Sequence, residues 1–371
     1  MKVIFRADAS IDIGTGHVMR CLVLADALAK NNADCQFICR DHDGNLIEFI
    51  RSRGYIVHTL NQEKVAVEAN ESQPGLAHQH WLGATQMQDV EACASILAGQ
   101  NADWLIVDHY ALDALWERAL APHFQMIMVI DDLADRPHVC NLLLDQTLGR
   151  DVEDYYQLVP AECHLLCGSQ YSLLRPEFLS LRRYSLQRRK HPVLRELLIT
   201  MGGVDKENTT GQVLTALRTC PLPKECRINI VMGVTSPWVT EVRSLAKEMP
   251  RPTRVLVGVS DMAQLMADSD LAIGAAGATS WERCCLGLPS YMIVLAENQR
   301  KIAQELTKTG AARLIDFSTV KSQLRGEIKC LTSLTLSVMS SSAACVTDGL
   351  GVMRVTESLR NKVLYANQFT L

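Results

Sequence analysis

The sequence predicts a two-domain α/β protein, each domain a Rossmann-like parallel sheet covered by helices. Short apolar runs alternate with longer amphipathic ones from end to end, the pattern of parallel strands joined by crossover helices. That pattern starts afresh after a basic stretch near the middle. The length, 371 residues, is roughly two domains at about 150 residues each. The expected boundaries are 1–180, 181–348 and a helical tail over 349–371.

In the first half, residues 3–6 read as a strand followed by a glycine turn at 14–16. Val18, Cys21, Leu22, Ala25 and Leu28 then recur at helical spacing over 17–30. Residues 36–39, 104–107 and 126–130 read as further strands, each ending in polar residues. The Gln-, His- and Asn-rich stretch 61–83 reads as loop. Arg182, Arg183, Arg188, Arg189, Lys190 and Arg195 crowd beside Pro192, which reads as a solvated interdomain linker, with a polyanion or membrane-surface patch as the competing reading. In the second half, strands are expected at 197–201, 227–232, 254–257, 271–273 and 290–295. Helices fit between them at 207–218, 237–248, 261–267 and 279–286, and 349–361 reads as a final helix.

Lys plus Arg number 37 against 41 Asp plus Glu, a formal charge of −4. That mild acidity argues against a nucleic-acid binder relying on a basic field. No apolar run approaches the roughly 20 residues that cross a bilayer. The charged opening MKVIFRAD is unlike a signal peptide, so the expected location is the cytoplasm, without stable membrane insertion. Thirteen cysteines are scattered without a CxxC, and buried free thiols are a better reading than a zinc scaffold. No metal or cofactor is expected.

Three stretches carry chemistry. Gly14-Thr15-Gly16-His17-Val18-Met19 lies between strand and helix like a dinucleotide fingerprint, but Met19 stands where the third glycine is needed. No GK[ST] exists, so a Walker loop is excluded. What remains is a turn that aims the His17 imidazole from a helix start at a strand's carboxyl end. The helix dipole there disfavours imidazolium and keeps His17 neutral as a proton acceptor. A plain glycine turn with an exposed histidine is the competing reading. Asp108-His109-Tyr110 ends another strand, either as a site or as its cap. Asp131-Asp132 ends the next, and because neighbours on a strand face opposite ways, the pair reads as structural.

The densest stretch is Gly274-Ala275-Ala276-Gly277-Ala278-Thr279-Ser280-Trp281-Glu282. Small residues let backbone amides approach a ligand, Thr279 and Ser280 can donate hydroxyls, and the helix start attracts an anion such as a diphosphate. Glu282 can accept two hydrogen bonds from a vicinal diol such as a ribose. Gly202-Gly203 could leave room for the same ligand, and Glu297-Asn298-Gln299 could meet its far end.

Taken together, these residues resemble the UDP-2,4-diacetamido-2,4,6-trideoxy-β-L-altropyranose hydrolases of pseudaminic acid biosynthesis. The matching stretches are Arg6-Ala-Asp8, GTGHVMRCLVLADAL from Gly14, DWLIVDHYALD from Asp103, IDDLADRPH from Ile130, LLLDQTLG from Leu142, YSLLRPEFLSLR from Tyr171, MGGVD from Met201, IGAAGATSWERCCLGLP from Ile273 and LAENQ from Leu295. DGLGVMRV from Asp348 is similar to the family's ending, and nothing over 61–80 matches. The resemblance implies a glycosyltransferase-B architecture: two domains facing across a cleft, UDP on the second, the sugar towards the first, and a final helix crossing back. It implies His17 as catalytic base or relay, with Gly16 in its turn, Tyr110 at the sugar or attacking water, and Asn298 and Gln299 at the sugar. It implies Glu282 on ribose, Gly277, Ala278, Thr279 and Ser280 around the diphosphate with Gly202 beside them, and Val257 and Val259 next to uracil.

The expected reaction is metal-independent, inverting hydrolysis of the UDP-sugar with water as acceptor, feeding cell-surface glycans such as those on flagellin. A glycosyltransferase on the same fold and a non-catalytic nucleotide-sugar sensor are the alternatives.

Overall fold

The computed structural model describes residues 1–61 and 76–368, the side chains of Asn298 and of 363–368 excepted. The chain divides into two compact units, Met1–Leu173 with Gly351–Leu371, and Leu174–Leu350. Most of the 61–83 stretch lies outside the described residues; within its described part, Gln79–Leu82 forms a 3-10 turn.

Among the described residues the first unit holds seven strands, β1 (Lys2–Ala7), β2 (Asp34–Arg40), β3 (Ile56–Leu60), β4 (Ala102–Asp108), β5 (Phe124–Ile130), β6 (Leu142–Asp145) and β7 (His164–Cys167). Their order is β3-β2-β1-β4-β5-β6-β7, with every pair parallel. Period-two alternation sends Val3, Phe5, Trp104 and Ile106 into one buried cluster and Ile4, Leu105 and Val107 into another. The sheet is therefore covered on both faces, as all-parallel sheets require. On the first face the helix Gly16–Ala29 buries Val18, Cys21, Leu22, Ala25 and Leu28, the periodic residues of the sequence. The last helix, Gly351–Gln368, packs against it and adds Val355 and Leu359 to the same core.

The second unit holds β8 (Glu196–Thr200), β9 (Arg227–Met232), β10 (Thr253–Val257), β11 (Leu271–Ala275), β12 (Ser290–Ile293) and β13 (Ala312–Leu314). Their order is β10-β9-β8-β11-β12-β13, again wholly parallel.

Three expectations need correction. The basic stretch is not a solvated linker: helix Pro176–Arg188 occupies its first part. Arg182 donates to the carbonyls of Cys285, Ala344 and Thr347, and buried Arg189 donates to those of Met266, Ala267 and Ser269, so these cations satisfy backbone oxygens within the second unit. Residues 333–362 are, among the described residues, the one stretch long and apolar enough by length and composition to cross a membrane, with mean hydropathy 1.2 over its best window. They form two helices, Ser333–Val346 and Gly351–Gln368, and Leu336, Met339, Val355 and Leu359 are spent on the cores. All thirteen cysteines are free, as expected, but Cys330 and Cys345 are exposed and Cys163 is partly so.

Candidate functional site

In an open parallel sheet the loops beyond the strands' carboxyl ends part where strand order reverses, and ligands bind there. In the first unit that point lies between β1 and β4. The turn after β1 is pinned by Ser10, whose hydroxyl accepts from the Asp12 and Ile13 amides while its carbonyl accepts from Gly14. The helix then opens at Gly16, and His17, mostly buried, points at the end of β4.

His17 Nδ1 lies 2.5 Å from Oδ1 of Asp108, the last residue of β4 and fully buried. Arg20, one turn beyond His17, grips the same carboxylate with two donors, Nε at 2.6 Å and Nη2 at 2.7 Å, the bidentate geometry that makes such pairs strong. Its Nη1 reaches Asp132 Oδ2 at 2.5 Å, where the Tyr110 hydroxyl also donates at 2.8 Å. Burial pushes the Asp108 carboxyl up, but Arg20 and His17 outweigh it and hold it well below the usual carboxylate range. An ionised carboxylate only accepts. In neutral His17 the proton therefore sits on Nδ1, and Nε2 keeps the lone pair. The arrangement is an imidazole with an orienting carboxylate, which leaves Nε2 as the nitrogen able to accept a proton.

Asp108 is thus more than the cap that one reading allowed, since it orients the His17 ring. Tyr110 is buried, with its ring edge-on to His17 at 4.6 Å. Asp131 and Asp132 do face different partners: Asp131 holds Arg136 and accepts from Tyr155, and Asp132 holds Arg20 and Tyr110. Sequence reading missed Arg20, whose signal was its place three residues after His17, on the same helix face.

In the second unit the reversal lies between β8 and β11. Gly202, exposed with φ +91°, follows β8, and Gly277, Ala278 and Thr279, half-buried or exposed, follow β11. The helix Thr279–Cys285 turns Arg283 back beneath the loop, where Nη2 donates to Ala275 O at 2.7 Å and to Ser280 Oγ at 3.0 Å. A Cβ on Gly274 would stand 2.2 Å from Arg283 Nη1, so only glycine admits this brace. Burial pushes the Arg283 guanidinium down to about 10. Ser280 is buried with its hydroxyl on Arg283, and it supports the loop from within instead of presenting the free hydroxyl expected.

Glu282 is partly exposed, and Arg175 Nη2 stands 3.5 Å from its Oε1. Burial raises the Glu282 carboxyl, against the pull of Arg175. Val257 ends β10, and both Val257 and Val259 are half-buried. Gln299 accepts from the Leu295 amide at 3.0 Å through Oε1. Asn298 lies in the 3-10 turn Glu297–Gln299, its side chain outside those described. Each unit therefore gathers its own expected residues at one sheet edge: His17, Gly16 and Tyr110 in the first, the glycine loop, Gly202 and Glu282 in the second.

This architecture is the two-domain α/β fold of the glycosyltransferase-B type. It matches the crystal structure of Acinetobacter baumannii MurG with a TM-score of 0.69 at 16% identity, over 97% of this chain and 99% of that one. Residues 201–345 match the Glycosyltransferase family 28 C-terminal domain. The chain is 27% identical over 310 residues to the UDP-2,4-diacetamido-2,4,6-trideoxy-beta-L-altropyranose hydrolase of Campylobacter jejuni, covering 84% of this chain and 97% of that protein. It is 30% identical over 201 residues to the spore coat polysaccharide biosynthesis protein SpsG of Bacillus subtilis, 52% of this chain and 57% of that one. The resemblance read from the motifs holds: this chain is a relative of the Campylobacter hydrolase along nearly that protein's whole length.

Proposed function

We propose that the protein is a nucleotide-sugar hydrolase that removes UDP from UDP-2,4-diacetamido-2,4,6-trideoxy-β-L-altropyranose, in the cytoplasm, to give the free sugar for pseudaminic acid synthesis. The observation that carries this reading is the His17–Asp108 pair at the first unit's switch point, beside the likeness to the Campylobacter hydrolase. Asp108 keeps the Nδ1 proton in place, so Nε2 takes a proton from water as the oxygen attacks the anomeric carbon opposite the leaving UDP. The positive charge that develops on His17 is stabilised by the same carboxylate. Loop amides at Gly277, Ala278 and Thr279, with Gly202 alongside, receive the diphosphate. Glu282 accepts from the ribose diol, Val257 and Val259 flank uracil, and Asn298, Gln299 and Tyr110 hold the sugar.

A glycosyltransferase using a UDP-amino sugar is the second reading, favoured by the match of residues 201–345 to a glycosyltransferase domain. Incubating the pure protein with the UDP-sugar and no acceptor, and following UDP release, separates the two. Turnover with water alone supports the hydrolase; dependence on an added acceptor supports the transferase. Tight binding without any turnover would make the protein a sensor.

A further inference from the structure

Two thiols meet at the amino ends of two neighbouring strands in the first unit. Cys140 comes just before β6 and Cys163 just before β7, and their Sγ atoms lie 3.6 Å apart. The strands pair in parallel with Leu142 opposite His164, and the His164 amide donates to the Asn141 carbonyl at 3.0 Å. Neighbouring strands run about 4.8 Å apart, within the Cα separations of roughly 4.4–6.8 Å that a disulfide spans. Both side chains join the same apolar cluster. Bringing the sulfurs to about 2.05 Å therefore asks for side-chain rotation, not for movement of the strands.

The two thiols differ in reactivity. Cys140 is buried, whereas Cys163 is partly open to solvent. The Cys140 thiol donates to Cys163 and, with the Lys362 ammonium, outweighs burial in holding the Cys163 thiol below its usual range. Lys362 is fixed there by its own bond to the Asn141 carbonyl, at 2.9 Å. The bond to Cys163, and then burial, push Cys140 up. A solvent-reaching sulfur with thiolate character, backed by a second thiol in contact, is the arrangement in which peroxide oxidation ends in a disulfide. Among the described residues Cys140 and Cys163 are the one pair of thiols hydrogen-bonded to each other.

We propose that Cys140 and Cys163 form a modification site, an oxidisable dithiol that a hydroperoxide converts to an intramolecular disulfide. The Cys163 thiolate attacks a peroxide oxygen. The O–O bond breaks, and the hydroxide that leaves takes up the proton Cys163 gave, so one water departs and Cys163 becomes a sulfenic acid. The Cys140 sulfur then attacks the Cys163 sulfur, and the sulfenic hydroxyl leaves with the Cys140 proton as a second water. Each sulfur gives one electron and the peroxide takes both. The new bond ties β6 to β7 across 23 positions of chain. His17 stands at the opposite, carboxyl edge of the sheet, so its pairing with Asp108 is untouched.

The test treats the full chain with hydrogen peroxide, blocks the remaining thiols and maps the peptides by mass spectrometry. The expected product joins the Cys140 and Cys163 peptides, lighter than the reduced pair by two hydrogens and separated again by dithiothreitol. Its Tm should rise by about 5–10 °C, the scale of closing such a loop. Cys163→Ser should give neither the cross-link nor the rise. In Cys140→Ser, Cys163 should stop at the sulfenic acid, which dimedone traps. Disulfides formed only between molecules would overturn the inference, as would oxidation confined to the exposed Cys330 and Cys345. Cys163 driven to the sulfinic acid beside a still-reduced Cys140 would overturn it too. Should a serine variant fail to fold, the peptide map of the parent decides alone.

Discussion

His17 Nδ1 and Asp108 Oδ1 stand 2.5 Å apart in the first unit, and Arg20 holds the same carboxylate through two donors. The pair fixes which nitrogen of His17 can accept a proton. Asp108→Asn keeps the shape but offers the ring either a donor or an acceptor, so the tautomer is no longer imposed. We expect kcat to fall by about 10² to 10⁴, the range of a lost general base, with UDP affinity retained. His17→Asn should fall equally, and the double variant no further, because the two act as one unit. Losses that multiply in the double variant would show independent roles. Breaking a buried ion pair is itself destabilising by about 3–5 kcal/mol, so melting curves accompany the kinetics.

Glu282→Ala tests the nucleotide side. Loss of charge-assisted hydrogen bonds to the ribose should weaken UDP and UDP-sugar alike by about 1.5–3 kcal/mol, measured by calorimetric titration. Arg175, left without its carboxylate, stays half-exposed to solvent. Equal affinity in parent and variant would move the ribose elsewhere.

The buried Tyr155 hydroxyl lies 2.8 Å from Asp131 Oδ2 and 2.9 Å from Asp145 Oδ2. It can donate to one carboxylate only. Arg136 and other partners hold Asp131 down to about 2 despite burial, so Asp131 accepts. Burial and the nearby Asp132 raise Asp145 to about 6, against Arg150. A carboxyl whose folded pKa is raised binds more protons folded than unfolded between about pH 4 and 6. Stability should therefore decline as pH rises through that window, by on the order of 3 kcal/mol from this group. Asp108 and Asp131, with lowered values, act oppositely and below it. Urea unfolding at pH 4, 5, 6 and 7 should show the decline in the parent and a flatter profile in Asp145→Asn. An identical slope in both would refute the assignment.

Asp108, Asp131 and Asp132 are each bound by an arginine, and among the described residues no cluster of three or more His, Cys, Asp or Glu is placed to hold a metal. EDTA should leave UDP release unchanged. Activity that is lost to EDTA and restored by magnesium or manganese would make these carboxylates ligands after all.

The turn carrying His17 and the loop carrying Glu282 were legible because glycine and small residues mark them locally. Asp108 stood out only as a strand end, since its pairing with His17 spans 91 residues and exists through the adjacency of β1 and β4. Arg175 was invisible for the same reason, lying 107 residues from Glu282. The strands β6, β7 and β13, of four, four and three residues, are too short for alternation to declare them. Arg189 read as solvated because charge runs usually are, and sequence does not announce the carbonyls of Met266 and Ser269 that receive it. Trp81 lies at the end of a stretch without pattern, and its stacking on Tyr110 exists only in the folded chain.

In the proposed reaction His17 delivers water to the anomeric carbon. Proton NMR on a fresh reaction of the UDP-sugar with the pure protein, without acceptor, reads the product before mutarotation mixes the anomers. The expected result is complete consumption to UDP and free sugar, with the first-formed anomer opposite in configuration to the substrate's and no change on adding acceptors. A retained anomer, or turnover only when an acceptor is present, would contradict it.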